Sequence, residues 1–241
     1  MSKLYVIGIG YKPLDKRTKE IILKADVILA SNRLFEVFQG YSEFEAVKDK
    51  VKVINNINET IEFISATGKT PTFPSCRAIV LLASGDPMFF GIGRRAVKEF
   101  GKDMVEILPD LSCVQVAFSK IKEPWDDAFL MSLHGGPDPE KRRKLPYEIT
   151  DIPFLLQQYS KIAILTDREN NPTEIAQTLL ESAAPSHRRT IALRMFVLER
   201  LGYADEKITE GLPEKIAQIK FSEPNIVIIQ KTDKNSDIKK M

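Results

Sequence analysis

Residues 81 to 95 read "LLASGDPMFFGIGRR". An apolar run breaks at Ser84-Gly85-Asp86-Pro87 and passes two further glycines before a pair of arginines. Extended back to Ala78, the run becomes "AIVLLAS", seven residues without polar alternation, which predicts a strand covered on both faces, as in a parallel sheet. Two readings of the glycine-rich segment after the strand stay open on local physics. In one, Asp86 caps a helix, Pro87 takes its first position, and Gly91 and Gly93 permit a bend or close packing. In the other, glycine bares main-chain groups at the carboxyl end of a parallel strand, where open α/β sheets bind ligands, and Asp86 offers a fixed acceptor for a hydroxyl or a cation.

Working outward, further apolar β-branched runs predict strands: "LYVIGI" (4 to 9), "VILA" (27 to 30), "MVEILP" (104 to 109), "AFLMSL" (128 to 133), "KIAILT" (161 to 166), "TIALRM" (190 to 195) and "NIVIIQ" (225 to 230). Between them, helical spacing appears in "DKRTKEIILKA" (15 to 25), "NETIEFISA" (58 to 66), "GIGRRAVKEF" (91 to 100), "PTEIAQTLLES" (172 to 182) and "LPEKIAQIK" (212 to 220). The alternation predicts an α/β architecture. A segment at 134 to 158, opening "HGGPDPEKRRKLPYEITDIP", gathers turn glycines, prolines and a basic cluster. A division is placed just before it, giving domains 1–125 and 126–241. "PDLSCVQVAF" (109 to 118) repeats the strand-end arrangement, with Ser112 capping a helix beside Cys113. The last residues, "KTDKNSDIKKM", read as a frayed polar tail.

Composition narrows the function. The chain has 241 residues, is 43% hydrophobic and 28% charged, and has a formal charge of +2, too small to make nucleic acid or a membrane the main partner. Cys76 and Cys113 show no CxxC spacing, and His134 and His187 stand apart, so neither a disulfide framework nor a metal site is expected. The N-terminus lacks a signal-peptide core, and no run approaches the roughly 20 apolar residues of a membrane span, so the expected location is the cytoplasm. Two nucleotide motifs are defective. "GIGYKP" (8 to 13) supplies two of three fingerprint glycines and puts Pro13 where the third belongs, and Asp26 is early for a ribose partner. "ATGKT" (66 to 70) carries a phosphate-loop ending but has Phe63 at the first glycine, which suits a helix end at Gly68 better.

The segments "GIG", "SGDPMFFGIGRR", "LPDLSCVQVAFSKIKEPWDDAFLMSLHG", "AILTDRENNPTEIA" and "ERLGYADEKITEG" followed by "FSEPNIVII" occur in this order. Together they resemble the tetrapyrrole methylases. Within that family the resemblance is to the cobalt-precorrin-7 C5-methyltransferase branch, which corresponds to the N-terminal half of precorrin-6Y C5,15-methyltransferases. It implies a two-domain tetrapyrrole methylase-like fold (class III S-adenosylmethionine methyltransferase), S-adenosylmethionine bound in the cleft between the domains, and a homodimer. It also implies a methyl transfer to C5 of a late corrin-ring precursor in cobalamin biosynthesis, with a separate C15-methylating, decarboxylating partner. Other ring positions are the alternative within the family, and a nicotinamide-dependent oxidoreductase is the alternative outside it. Carried over by position, the implied cofactor contacts are Ser84, Gly85, Asp86, Phe89, Ser112 and Cys113, with Thr166, Leu201 and Pro224 from the C-terminal domain. The chain departs from the family pattern at two places: Tyr11-Lys12 stands for a Pro-Gly, and Asp110 stands where the turn before Ser112 carries glycine.

An activated sulfonium methyl needs placement in line with a nucleophilic ring carbon, away from water, more than it needs a strong base. A substrate rich in acetate and propionate groups calls for scattered cations at the site mouth. Lys12, Arg33, Arg94, Arg95 and Arg200 are the substrate-binding candidates, with "KRRK" (141 to 144) at the rim; for each, the alternative is a solvated surface charge. His134 is the catalytic candidate, set against a hydrogen-bonding turn residue, and His187 reads as an exposed loop residue. Trp125, Phe89 and Phe90 are either pocket wall or core.

Overall fold

The computed structural model describes residues 3–67, 78–135, 145–182 and 192–232. Cys76, Gly68 to Thr70, the 141–144 cluster, His187 and the tail from 233 lie outside the described residues. The chain folds as two compact units, Met1–Ser112 and Cys113–Met241.

In the first unit, β1 (Lys3–Ile9), α1 (Lys16–Lys24), β2 (Val27–Ala30), α2 (Asn32–Gln39), α3 (Phe44–Val47), β3 (Val51–Val53), α4 (Ile57–Thr67), β4 (Ala78–Ser84), α5 (Gly93–Phe100) and β5 (Val105–Leu108) follow in order. The five strands are all parallel, in the order β3-β2-β4-β1-β5. The apolar runs are unbroken because both faces of the sheet are covered. Ile7, Ile9, Val80 and Leu82 pack on one face with Ile22 of α1 and Phe38 of α2, and Leu4, Val6, Leu81 and Ala83 pack on the other with Ile64 of α4 and Ala96 of α5. From β1 the chain passes β4 to reach β2; from β4 it passes β1 to reach β5. These crossovers run in opposite directions, so α1 and α5 cover opposite faces and the β1–β4 pair is the switch point of the sheet, the place where open α/β sheets take up ligands.

The second unit contains α6 (Cys113–Ile121), β6 (Ala128–Ser132), α7 (Ile152–Gln158), β7 (Lys161–Leu165), α8 (Pro172–Ser182), β8 (Ala192–Glu199), β9 (Lys207–Gly211), α9 (Pro213–Ile216) and β10 (Asn225–Thr232). Its sheet is mixed, in the order β6-β7-β10-β8-β9, with only β6 and β7 a parallel pair. Met131, Ile164, Val197 and Val227 form its core with Leu155 of α7, Ile175 and Leu179 of α8, and Ile216 of α9. Contacts with β10 group α6 with this unit, whereas the sequence division at 125/126 falls just after that helix. Among the described residues no helix is long and apolar enough to cross a membrane.

"PWDDA" acquires a structural role at the amino end of β6. Lys161, only 7% exposed, donates from Nζ to Asp127 Oδ1 at 3.0 Å and to the Pro124 carbonyl at 3.0 Å. Trp125 is 44% exposed there and belongs to neither the core nor a strand carboxyl end. The hydrogen bond from Lys161 holds the Asp127 carboxyl below its usual value. A carboxylate depressed in the folded state stabilises the fold above its unfolded pKa of about 4 and loses that contribution as pH falls through the folded value. Because Asp127 is half exposed, Asp127→Ala is expected to cost about 1 kcal/mol at pH 7. In denaturant melts the gap to wild type should shrink below about pH 4. An equal gap at pH 7 and pH 3 would contradict the pairing.

Candidate active site

Three strand ends meet in the first unit. Ile9 is paired with Ser84 and Ile7 with Leu108, so the loops after β1, β4 and β5 leave the sheet side by side. They are tied by main chain: the Gly85 N–H donates to the Ile9 carbonyl at 2.9 Å, and the Asp110 N–H donates to the Gly85 carbonyl at 3.2 Å. Two glycines permit this closeness. A Cβ on Gly8 would lie 1.8 Å from the Gly85 oxygen and 2.6 Å from the Asp110 nitrogen. Gly85 has φ +58°, and a Cβ there would lie 2.6 Å from the Leu111 oxygen. At Gly10, φ +130°, the position of a Cβ is open space.

Asp86 shapes the next turn. Its Oδ1 accepts the Met88 N–H at 2.8 Å and its carbonyl accepts the Phe89 N–H at 3.1 Å. The helix-cap reading of Asp86 is therefore corrected: α5 starts only at Gly93, with Ile92 at the cap position. The chain turns once more before α5 because the Gly93 N–H returns to the Pro87 carbonyl at 2.9 Å. Cβ atoms on Gly91 and Gly93 would meet that same oxygen at 2.6 and 2.8 Å. Among the described residues, Asp86 Oδ2 makes no hydrogen bond. Ser84 is exposed beside it and Phe89 is half-buried, edge-on to Phe90 at 4.9 Å. Ser112 is buried after β5 and Cys113 half-buried at the start of α6. Arg94 lies 5.5 Å over the Phe90 ring, and Arg95 lies 3.8 Å from Glu99 on the next turn of α5.

The loop after β1 is held from two sides. The Gly10 N–H donates to the Tyr41 hydroxyl at 2.8 Å; the Tyr11 and Lys12 N–H groups donate to Asp110 Oδ2 at 2.7 and 3.2 Å. Tyr41 comes from the α2–α3 connection and rests against Phe38, and burial holds its phenol above the usual value. Lys12 is exposed on this loop, and Arg33 is exposed near the start of α2, which leaves β2 at the same end of the sheet. Helix α1 begins only at Lys16, capped by Asp15 accepting from Thr18 N–H at 2.8 Å. Five residues thus separate Gly10 from the helix, whereas a dinucleotide fingerprint opens a helix on its glycines. The "AT" of "ATGKT" lies within α4, whereas a phosphate loop leaves a strand; its Gly68, Lys69 and Thr70 lie outside the described residues.

In the second unit the carboxyl ends of β6, β7 and β8 and the start of β10 fall at one end of the sheet. This end brings together His134, Thr166, Leu201 and Pro224. The Thr166 hydroxyl donates to the Asn225 carbonyl at 2.8 Å and its side-chain oxygen at 2.6 Å. The Asp167 carboxylate accepts N–H groups of Gly135, Glu169 and Asn170 at 2.8 to 3.1 Å, and Asn170 Nδ2 donates to the Leu133 carbonyl. "TDREN" therefore fixes the "LHG" turn that carries the exposed His134. Arg200, at φ +50°, donates from Nε to Asp205 at 2.7 Å and stacks 4.4 Å over Tyr203, which satisfies much of its charge locally. Asp110, Tyr41 and Asp167 were not among the sequence-derived candidates, since their partners lie about 30 to 100 residues away.

Residues 3–217 match the family model described as Tetrapyrrole (Corrin/Porphyrin) Methylases. The chain belongs to the tetrapyrrole methylases. Among curated tetrapyrrole methylases it is similar to the probable cobalt-precorrin-7 C(5)-methyltransferase of Methanocaldococcus jannaschii, 27% identical over 91% of this chain and 93% of that one. It is similar to the cobalt-precorrin-7 C(5)-methyltransferase of Salmonella typhimurium, 34% identical over 64% of this chain and 66% of that one. It is also similar to the decarboxylating precorrin-6Y C(5,15)-methyltransferase of a Sinorhizobium species, 29% identical over 86% of this chain but spanning 44% of that protein. Solved tetrapyrrole methylases share the fold. The precorrin-6Y methylase of Archaeoglobus fulgidus superposes with a TM-score of 0.62 at 22% identity, over 96% of this chain and 99% of that one. Uroporphyrin-III C-methyltransferase of Thermus thermophilus, complexed with S-adenosyl homocysteine, gives 0.63 at 17% identity over 95% and 92%.

Proposed function

We propose that the protein transfers a methyl group from S-adenosylmethionine to C5 of a late corrin-ring precursor of the cobalt-precorrin-7 or precorrin-6 type, in cobalamin biosynthesis. The observation that carries this reading is the near end-to-end match to the probable cobalt-precorrin-7 C(5)-methyltransferase of Methanocaldococcus jannaschii, over 93% of that protein's length. The switch point between β1 and β4 supports it from the fold, because the carboxyl ends of strands at such points are where open α/β sheets take up their ligands. S-adenosylmethionine, when bound, would supply an activated methyl on a cationic sulfur. The residues present suit it: Asp86 offers a carboxylate oxygen with no hydrogen bond among the described residues, Ser84 an exposed hydroxyl, Phe89 an aromatic edge, and Gly10 open space where a Cβ would stand.

Ser84, Gly85, Asp86, Phe89, Ser112 and Cys113 are assigned to the cofactor, and Thr166, Leu201 and Pro224 complete the assignment from the second unit. Lys12, Arg33, Arg94 and Arg95 receive acceptor carboxylates as dispersed cations, in keeping with their exposure. Arg200 is assigned a lesser part because Asp205 already pairs with it. His134 is the candidate for polar contact with the ring. The protein is proposed to act in the cytoplasm as a homodimer. The longer Sinorhizobium relative bears both C5 and C15 in its name, and this chain spans 44% of it. The family resemblance supports the proposal of a C15-methylating, decarboxylating partner activity.

Calorimetry with S-adenosylhomocysteine tests the cofactor assignment. Binding in the micromolar range, with no NADH binding, is the expected result. NADH binding without S-adenosylhomocysteine binding would overturn it in favour of an oxidoreductase.

A further inference from the structure

The geometry points to Asp110 as a positioning residue that holds the β1–α1 loop in the arrangement needed to present Lys12 to an acceptor carboxylate. Three consecutive N–H groups, those of Gly10, Tyr11 and Lys12, all donate to acceptors supplied by the protein: the Tyr41 hydroxyl, and Asp110 Oδ2 twice. Successive N–H groups of this kind form a concavity that attracts anions. Here the anion is internal. The Tyr11 and Lys12 N–H groups are taken by a carboxylate from a residue 98 positions away from Lys12, and the Gly10 N–H by a neutral hydroxyl, so recognition of an external carboxylate falls to the Lys12 side chain, which is exposed.

Asp110 is itself anchored to the other two strand-end loops. Its N–H donates to the Gly85 carbonyl at 3.2 Å, its Oδ1 accepts the Leu111 N–H at 2.7 Å, and the Tyr11 ring lies 3.3 Å from where a Gly85 Cβ would sit. One residue therefore connects the turns after β1, β4 and β5. Charge-assisted bonds to backbone N–H groups are stronger than neutral ones and restrict the loop without touching a ligand. The bond to Tyr11 also needs an N–H at that position, which a proline would lack. Tyr11 and Asp110, two places where the sequence departs from the family pattern, are thus partners in one hydrogen bond.

This inference rests on the proposed methyl transfer to a carboxylate-rich acceptor, and the test separates the two. In ligand-free protein, Asp110→Ala is expected to speed amide hydrogen exchange at Tyr11 and Lys12 at least tenfold, with Asp110→Asn intermediate. In steady-state assays with S-adenosylmethionine and a corrin precursor, Asp110→Ala should raise KM for the precursor about tenfold. It should leave kcat and the S-adenosylhomocysteine Kd within about threefold. Lys12→Ala should raise KM similarly, and the double variant should be little worse than either single one, because the two changes remove the same interaction. Unchanged exchange, or faster exchange with unchanged KM, would overturn the role of Asp110. A rise in KM accompanied by equally large losses of kcat and cofactor affinity would do the same, by making the residue merely structural. If the wild-type protein shows no turnover with any corrin precursor, the functional reading fails, and the exchange measurement still decides whether Asp110 holds the loop.

Discussion

Gly8→Ala is expected to be the most damaging alanine substitution among the described glycines of the first unit. Gly8 sits in β1 between two backbones, and the new Cβ would lie 1.8 Å from the Gly85 oxygen and 2.6 Å from the Asp110 nitrogen. Neither neighbour is a side chain able to rotate away, so the loops after β4 and β5 must both retreat from β1. The hydrogen bonds from Gly85 to Ile9 and from Asp110 to Gly85 depend on that closeness. Overpacking of this kind costs roughly 3 kcal/mol or more, enough to lower the melting temperature by about 10 °C in a chain of this size. Affinity for S-adenosylhomocysteine should fall with it, because the displaced loops carry Ser84, Gly85 and Asp86. Thermal melts and calorimetry on Gly8→Ala check both. A variant with wild-type stability would mean that the three strand ends are farther apart than described.

Asp86→Ala should show the opposite balance, a large effect on binding and a small one on folding. The carboxylate stabilises one tight turn through the Met88 N–H and caps no helix, so its loss costs about 1 kcal/mol or less. Its second oxygen has no hydrogen bond among the described residues, as a ligand-facing carboxylate requires. A charge-assisted bond to a cofactor hydroxyl or ammonium group contributes roughly 1.5 to 3 kcal/mol, so the Kd for S-adenosylhomocysteine should rise about tenfold to a hundredfold. Asp86→Asn keeps the turn acceptor and should show the binding loss with near-native stability. An unchanged Kd in both variants would reduce Asp86 to a turn former.

The parts of the fold that were legible in the sequence are those whose burial is local and continuous. β2, β4 and α8 appear at the residues expected, since unbroken apolar runs and a Pro-started amphipathic helix carry their own signals. The edge strands β3 and β9 escaped. Val51–Val53 is three residues long and mostly exposed, and Lys207–Gly211 is polar with Ile208 exposed. Short, charged edges suppress the alternation by which strands are recognised, which is also how they avoid unwanted pairing. α9 was overestimated, covering four residues where the spacing predicted nine, because the chain must turn back into β10.

The candidate site was legible in a different way. The glycines of the "SGDP" turn and of β1 were visible as residue types, but their geometric need comes from contacts with each other and with Asp110. Gly8 and Asp110 are about 100 residues apart in the chain, and no periodicity joins them. The same holds for Tyr41 beneath Gly10, for Asp167 across from Gly135, and for Asp127 against the buried Lys161. Each is a polar residue whose partner is supplied by topology, so the sequence shows only an ordinary surface-type side chain.

The most direct test of the proposed methyl transfer is to incubate the purified protein with precorrin-7-type substrate, cobalt-containing and metal-free, and S-adenosylmethionine labelled with carbon-13 in its methyl group. Mass spectrometry and NMR then report whether a methyl is added and to which ring carbon. The expected result is one labelled methyl at C5. Label at another ring position, or no label from protein that binds S-adenosylhomocysteine, would contradict C5 transfer.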